Sequence, residues 1–172
     1  MKKIYIGMDN GLDGAFVANL DGKLVKKFVM PTLKTGKGNK RIVFTQGLDF
    51  EFGGALKDPE VKLIFCVEPA QMIGSGSMAL ASTWYTWGRI EEWLINRCVS
   101  YHPVNPQKWQ KAFWTRPKLP KGQKFDTKAA ALRAANQIWP GTDWRAGERH
   151  RIPHDGIVDA ALISEYARRL NL

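Results

Sequence analysis

The run Leu63-Ile64-Phe65-Cys66-Val67 is apolar at every position and ends in Glu68-Pro69. A strand that alternates apolar and polar residues can leave one face in water, but one that is apolar throughout must be covered on both faces. Helices therefore have to lie above and below it, which points to a layered α/β arrangement. Proline at position 69 cannot donate to a ladder, so the strand stops at Glu68.

The rest of the chain supplies the neighbours. Lys3–Met8 reads as a strand ending at Asp9, followed by the turn-rich Asn10-Gly11-Leu12-Asp13-Gly14. Ala15–Ala18 is a second strand, and Asp21-Gly22 signals a hairpin into a third over Leu24–Met30. Residues 41–58 predict a strand-like start and a helix near Phe50–Lys57. A long helix over 78–97 has apolar positions at Leu80, Trp84, Trp87 and Leu94, and a short strand at Val99–Pro103 follows it. Asn105-Pro106 opens a helix carrying Lys108 and Lys111, and 117–124 is a loop. Asp126 or Thr127 starts an Ala-rich helix ending at Trp139-Pro140-Gly141, and a last helix runs from about Pro153 to Leu170. The expectation is one α/β domain spanning residues 1–172, built on a mixed sheet.

Charge narrows the partner. The chain carries 26 Lys+Arg against 16 Asp+Glu, a net of +10, which favours a polyanion such as nucleic acid over a generic solubilising role. Residues 101–154 hold 11 basic and 3 acidic side chains, a net of +8, together with Trp109, Phe113, Trp114, Phe125, Trp139 and Trp144. Basic residues among aromatics suit phosphate contact combined with base stacking, although core packing is the ordinary use of such rings and the expected one for Trp139. Lys111, Lys118, Lys121 and Lys124 are the candidate DNA contacts there. Lys34, Lys37, Lys40 and Arg41 form a second basic cluster in a Gly-containing loop with no acidic neighbour in sequence. No apolar run has the length of a membrane span and the N-terminus has no signal-peptide pattern, so a cytoplasmic, non-membrane protein is expected. Cys66 and Cys98 lie in apolar stretches without metal spacing, which predicts buried free thiols rather than a disulfide or zinc site.

Four acids stand out by position. Asp9 and Glu68 end apolar strands, at the carboxyl edge where open α/β sheets build their sites. Asp155 and Asp159 are four apart and share one helix face. On a wheel of about 100° per residue with Ile157 at zero, Arg168, Glu165 and Arg169 fall at roughly 20–120° as the solvent side. The same wheel places Asp155 and Asp159 at about 160° and 200°, among Leu162, Tyr166 and Leu170. Carboxylates turned to an apolar side need a cation or a proton to compensate them. Oxygen ligands from two strand ends and one helix suit Mg²⁺ or Mn²⁺, and two such ions suit phosphodiester hydrolysis. Singly, Asp155 reads equally well as a helix N-cap and Glu68 as a solvated strand end; together the four favour a site.

GMDNGLDGAF with Asp9, FCVEPA with Glu68, and HDGIVDAALISEY with Asp155 and Asp159 resemble, in order and over nearly the whole chain, the RuvC-type Holliday-junction resolvases. The likeness is nearest to their phage, mitochondrial and chloroplast branch. That resemblance implies an RNase H-like fold, a mixed five-stranded sheet flanked by helices, and a homodimer that nicks four-way DNA junctions symmetrically. It implies Asp9, Glu68, Asp155 and Asp159 as ligands of two Mg²⁺ or Mn²⁺ ions. Lys108 and Lys128 stand where the family has basic active-site residues, and the helix over 78–97, with Gly88, where it has its dimer interface. The chain departs from the family in reading Asp9-Asn10-Gly11 in place of Asp-Pro-Gly, and in placing His154 beside Asp155. The Ile73–Ser77 loop is a further candidate for approaching DNA. The competing readings are a less selective RNase H-like nuclease on branched DNA or RNA–DNA hybrids, and a non-catalytic basic DNA-binding protein. An actin-like phosphotransferase begins similarly, but this chain is too short for its second lobe.

Overall fold

The computed structural model describes residues 1–36, 40–70, 76–120 and 122–172. Strands β1 (Lys2–Asp9), β2 (Ala15–Leu20) and β3 (Lys23–Val29) form an antiparallel meander. β4 (Thr32–Lys34) and β5 (Arg41–Val43) pair as a separate two-stranded ribbon. Helix α1 (Thr45–Lys57) follows, then β6 (Val61–Val67), α2 (Ser77–Asn96), β7 (Tyr101–Pro103), α3 (Pro106–Phe113), α4 (Thr127–Ile138) and α5 (Asp155–Leu170). The main sheet has the order β3-β2-β1-β6-β7, with β6 parallel to both β1 and β7. It is the expected mixed five-stranded α/β sheet. Helix α1 starts five residues before its expected position, and no described helix is long and apolar enough to cross a membrane.

Both faces of the central strands are covered, as the apolar run of β6 requires. On one face Ile6, Met8, Phe16, Phe65 and Val67 pack against α1 and α2. On the other, Tyr5, Ala15, Val17, Ile64 and Cys66 pack against α3, α4 and α5. Strand alternation fixes which side each later residue takes. In β1, Tyr5, Gly7 and Asp9 face α5; in β6, Ile64 and Cys66 do, and Glu68 continues that series.

Gly7 is where α5 comes closest. A Cβ there would lie 1.9 Å from the Ala160 carbonyl oxygen and 2.5 Å from the Ser164 nitrogen, so this crossing admits only glycine. The helix is buried around most of its circumference, including Glu165.

Four local expectations are corrected. Glu165, assigned to the solvent side, is 2% exposed; it accepts from Asn19 Nδ2 at 3.1 Å, from Arg168 at 2.8 Å and from Arg169 at 2.9 Å. A wheel scores residue type and does not foresee that a carboxylate can be buried once enough donors surround it. Cys98 is exposed, in a left-handed turn after α2, while Cys66 is buried as expected and burial pushes its thiol up to about 12. Trp109 and Trp144, offered as stacking candidates, are core, as is Trp139 where core was expected, so none of the three is available for stacking on bases. Of the apolar positions expected along α2, Trp87 and Leu94 are buried, but Trp84 is 43% exposed.

Candidate active site

The four acids are brought to one edge of the sheet by backbone geometry. β1 and β6 run parallel with Met8 opposite Val67, and Glu68 N–H donates to the Met8 carbonyl at 3.1 Å. Asp9 and Glu68 are one step further along, on adjacent strand ends separated by about 4.8 Å. Both strand series place them on the α5 side.

Helix α5 begins at this edge. Its N-cap is His154, whose Nδ1 accepts from Ile157 N–H at 3.3 Å. Asp155 is therefore in the first turn rather than being the cap, and His154 is engaged in capping. The start of the helix lies against Asp9: a Cβ on Gly156 would be 2.9 Å from Asp9 Oδ2. A carboxylate there gains from the positive end of the helix dipole. Asp159, one turn on, faces the same group.

The electrostatics record the convergence. Burial raises the Asp9 pKa well above the ordinary carboxylate range, and repulsion from Asp159, Glu68 and Asp155 adds to it. Burial, then Glu68 and Asp155, lifts Asp159 to about 7, against the opposing pull of Lys128. Asp9 thus feels all three of the other acids, and Asp159 feels Glu68 and Asp155. Lys128 Nζ lies 2.5 Å from Asp155 Oδ2, and that pairing raises the lysine's own pKa. Its place is fixed by Asp126, which caps α4 by accepting from Ala129 N–H at 2.9 Å.

Glu68 is partly buried rather than a solvated strand end, and its Oε2 accepts from the Trp109 indole Nε1–H at 2.9 Å. The sequence reading missed this contact. Its only trace in the sequence is an indole set among polar residues in Gln107-Lys108-Trp109-Gln110-Lys111. Asn10, next to Asp9, has a carboxamide whose Oδ1 and Nδ2 are both buried without a hydrogen-bond partner.

These residues fit a hard divalent cation. The donors are all oxygen, two of the acids are driven toward protonation by burial and then by the neighbouring carboxylates, and the orphaned amide of Asn10 suits an ion's hydration shell. Among the described residues, no three His, Cys, Asp or Glu side chains stand together in ready ligating geometry.

The remaining candidates are dispersed. Lys108 is exposed on α3, directly before the Trp109 that touches Glu68, and forms no ion pair among the described residues. Lys34, Lys40, Lys111, Lys118 and Lys124 are exposed. Arg41 has an acidic neighbour in space, bridging Asp13 at 2.6 Å, because the ribbon folds back over the turn after β1. Lys37, Lys121 and the 73–75 part of the loop named above lie outside the described residues.

Strand order, helices on both faces and a carboxylate-lined sheet edge define an RNase H-like α/β fold. Within that class it is the fold of RuvC. The structure of Thermus thermophilus RuvC in complex with Holliday junction substrate matches 99% of this chain and 96% of its own, with a TM-score of 0.53 and 14% identity. A second Thermus thermophilus RuvC structure matches 99% and 97%, with a TM-score of 0.50 and 13% identity. No protein-family model and no curated protein sequence matches the chain significantly.

Proposed function

We propose that this chain, as a single nuclease domain over residues 1–172, is a metal-dependent endodeoxyribonuclease that resolves four-way DNA junctions by paired, symmetric nicks. The observation that carries the reading is the placement of Asp9, Glu68, Asp155 and Asp159 at one sheet edge, from two strand ends and the start of one helix, with Lys128 paired to Asp155. Those four acids would hold Mg²⁺ or Mn²⁺; bound divalent ions supply Lewis-acid activation of water and neutralise charge on the phosphate.

The protein's own residues do the rest. Lys128 steadies Asp155 and brings positive charge to the edge where a phosphate must approach carboxylates. Exposed lysines on the β4–β5 ribbon, on α3 and in the loop before α4 bind the DNA backbone, and Lys108 belongs with them. The exposed Met78, Trp84 and Tyr85 on α2 support pairing of two copies through that helix, which suits two nicks on one junction. The RuvC neighbour's Holliday-junction substrate agrees with branched DNA as the ligand.

The test compares synthetic four-way junctions, RNA–DNA hybrids and plain duplex at matched salt, with Mg²⁺ or EDTA. Junction-selective, Mg²⁺-dependent nicking supports the proposal. Equal cutting of hybrids makes the chain a broader nuclease, and binding without scission on any branched substrate makes it an architectural protein.

A further inference from the structure

We infer that Trp109 is a positioning residue for the acid centre, acting through Glu68; this rests on the reading above. The indole is 1% exposed and stands with its N–H 2.9 Å from Glu68 Oε2. The two partners share one rigid frame. Val104 N–H donates to the Val67 carbonyl at 2.8 Å, which ties the residue before the α3 cap to the end of β6. Asn105 then caps α3 by accepting from Gln107 N–H at 2.8 Å, with Pro106 at its first turn. Trp109 follows one turn later, packed edge-on against Trp114 at 5.6 Å between ring centres.

A core position that needed only volume would be filled as well by phenylalanine. The indole adds a donor directed at a carboxylate whose orientation governs whether it can ligate. Groups that hold a metal ligand from behind typically change metal affinity or activity about 10–100-fold when removed. Trp109 therefore fixes the rotamer of Glu68 and so sets the affinity of the centre for its cation, without touching DNA or the reacting atoms.

Trp109→Phe keeps most of the ring and removes the donor. Trp139→Phe is the control, since the Trp139 indole, also buried, donates to the Gly22 carbonyl at 2.7 Å away from the acids. Mn²⁺ affinity is measured on the full chain by electron paramagnetic resonance, alongside junction binding in EDTA and the Mg²⁺ dependence of nicking. The expected result for Trp109→Phe is a Mn²⁺ Kd about 10–100-fold weaker. Half-maximal Mg²⁺ should rise by the same factor, nicking should recover at saturating metal, and junction affinity should not change. Trp139→Phe should leave the Mn²⁺ Kd within twofold. Equal Mn²⁺ Kd for wild type and Trp109→Phe overturns the inference. Failure of wild type to bind Mn²⁺ overturns instead the metal-dependent reading on which it rests. If Trp109→Phe does not fold, the wild-type indole N–H resonances decide. The one displaced by Glu68→Gln must shift with Mg²⁺, and its staying still overturns the inference.

Discussion

Asp159→Asn should make the metal-free protein more stable, and the gain should depend on pH. The Asp159 carboxyl has a pKa of about 7 in the fold because of burial and of repulsion from Glu68 and Asp155, against an ordinary 3.8. An acid whose pKa is higher folded than unfolded holds its proton more tightly in the native state. Stability is therefore fullest below the unfolded value and falls as pH rises toward the folded one, remaining low above it. Three pH units at about 1.36 kcal/mol each set a ceiling of about 4 kcal/mol, and relaxation of the site leaves about 2–4 kcal/mol. Asparagine cannot ionise, so the variant escapes this loss. In a chain of 172 residues that corresponds to about 5–15 °C in Tm at pH 8. Thermal unfolding followed by circular dichroism, in EDTA from pH 4 to 9, should show two curves that converge at acid pH and separate through neutrality. Mg²⁺ should then raise the wild-type Tm and close part of the gap, since binding to the folded state stabilises it. A variant no more stable than wild type at pH 8, or a difference that does not change with pH, would refute the argument.

Three further outcomes follow from other parts of the molecule. Burial alone would raise the pKa of Glu165, but hydrogen bonds from Arg168, Arg169 and Asn19 outweigh it and hold the group at about 2. Its stabilisation is thus present above pH 4.5 and lost as pH falls toward 2, and Glu165→Gln should cost about 2–3 kcal/mol in urea unfolding at pH 7, with the gap closing in acid. Gly7→Ala places a methyl 1.9 Å from the Ala160 carbonyl and should cost at least about 3 kcal/mol by the same assay, because two backbones must separate. Junction affinity should fall steeply with salt, and neutralising Lys111, Lys118 or Lys124 should each reduce the log–log slope by about 1 in filter binding.

The layering of the fold could be read from the sequence because β6 is apolar at consecutive positions and β1 and α5 have clear periods. The same periods placed Asp9, Glu68, Asp155 and Asp159 at element ends and faces that geometry brings to one edge. What could not be read depends on partners remote in sequence. Glu165 is buried because Asn19, 146 positions away, joins two arginines around it. Arg41 meets Asp13 only once the β4–β5 ribbon has folded back, and Trp109 meets Glu68 only because α3 follows β7 alongside β6. Periodicity assigns a side chain to a face, whereas the hydrogen bond it makes there is decided by the strand order.

The central claim is that the four acids form a metal-dependent centre for cutting junction DNA. It is tested most directly by mapping the nicks made in a synthetic four-way junction by wild type and by Asp9→Asn, each with Mg²⁺ and with EDTA. The account predicts paired nicks at symmetric positions for wild type with Mg²⁺ alone, and for Asp9→Asn no nicks but undiminished junction binding. Nicking by Asp9→Asn at the wild-type rate, or by wild type in EDTA, would contradict it.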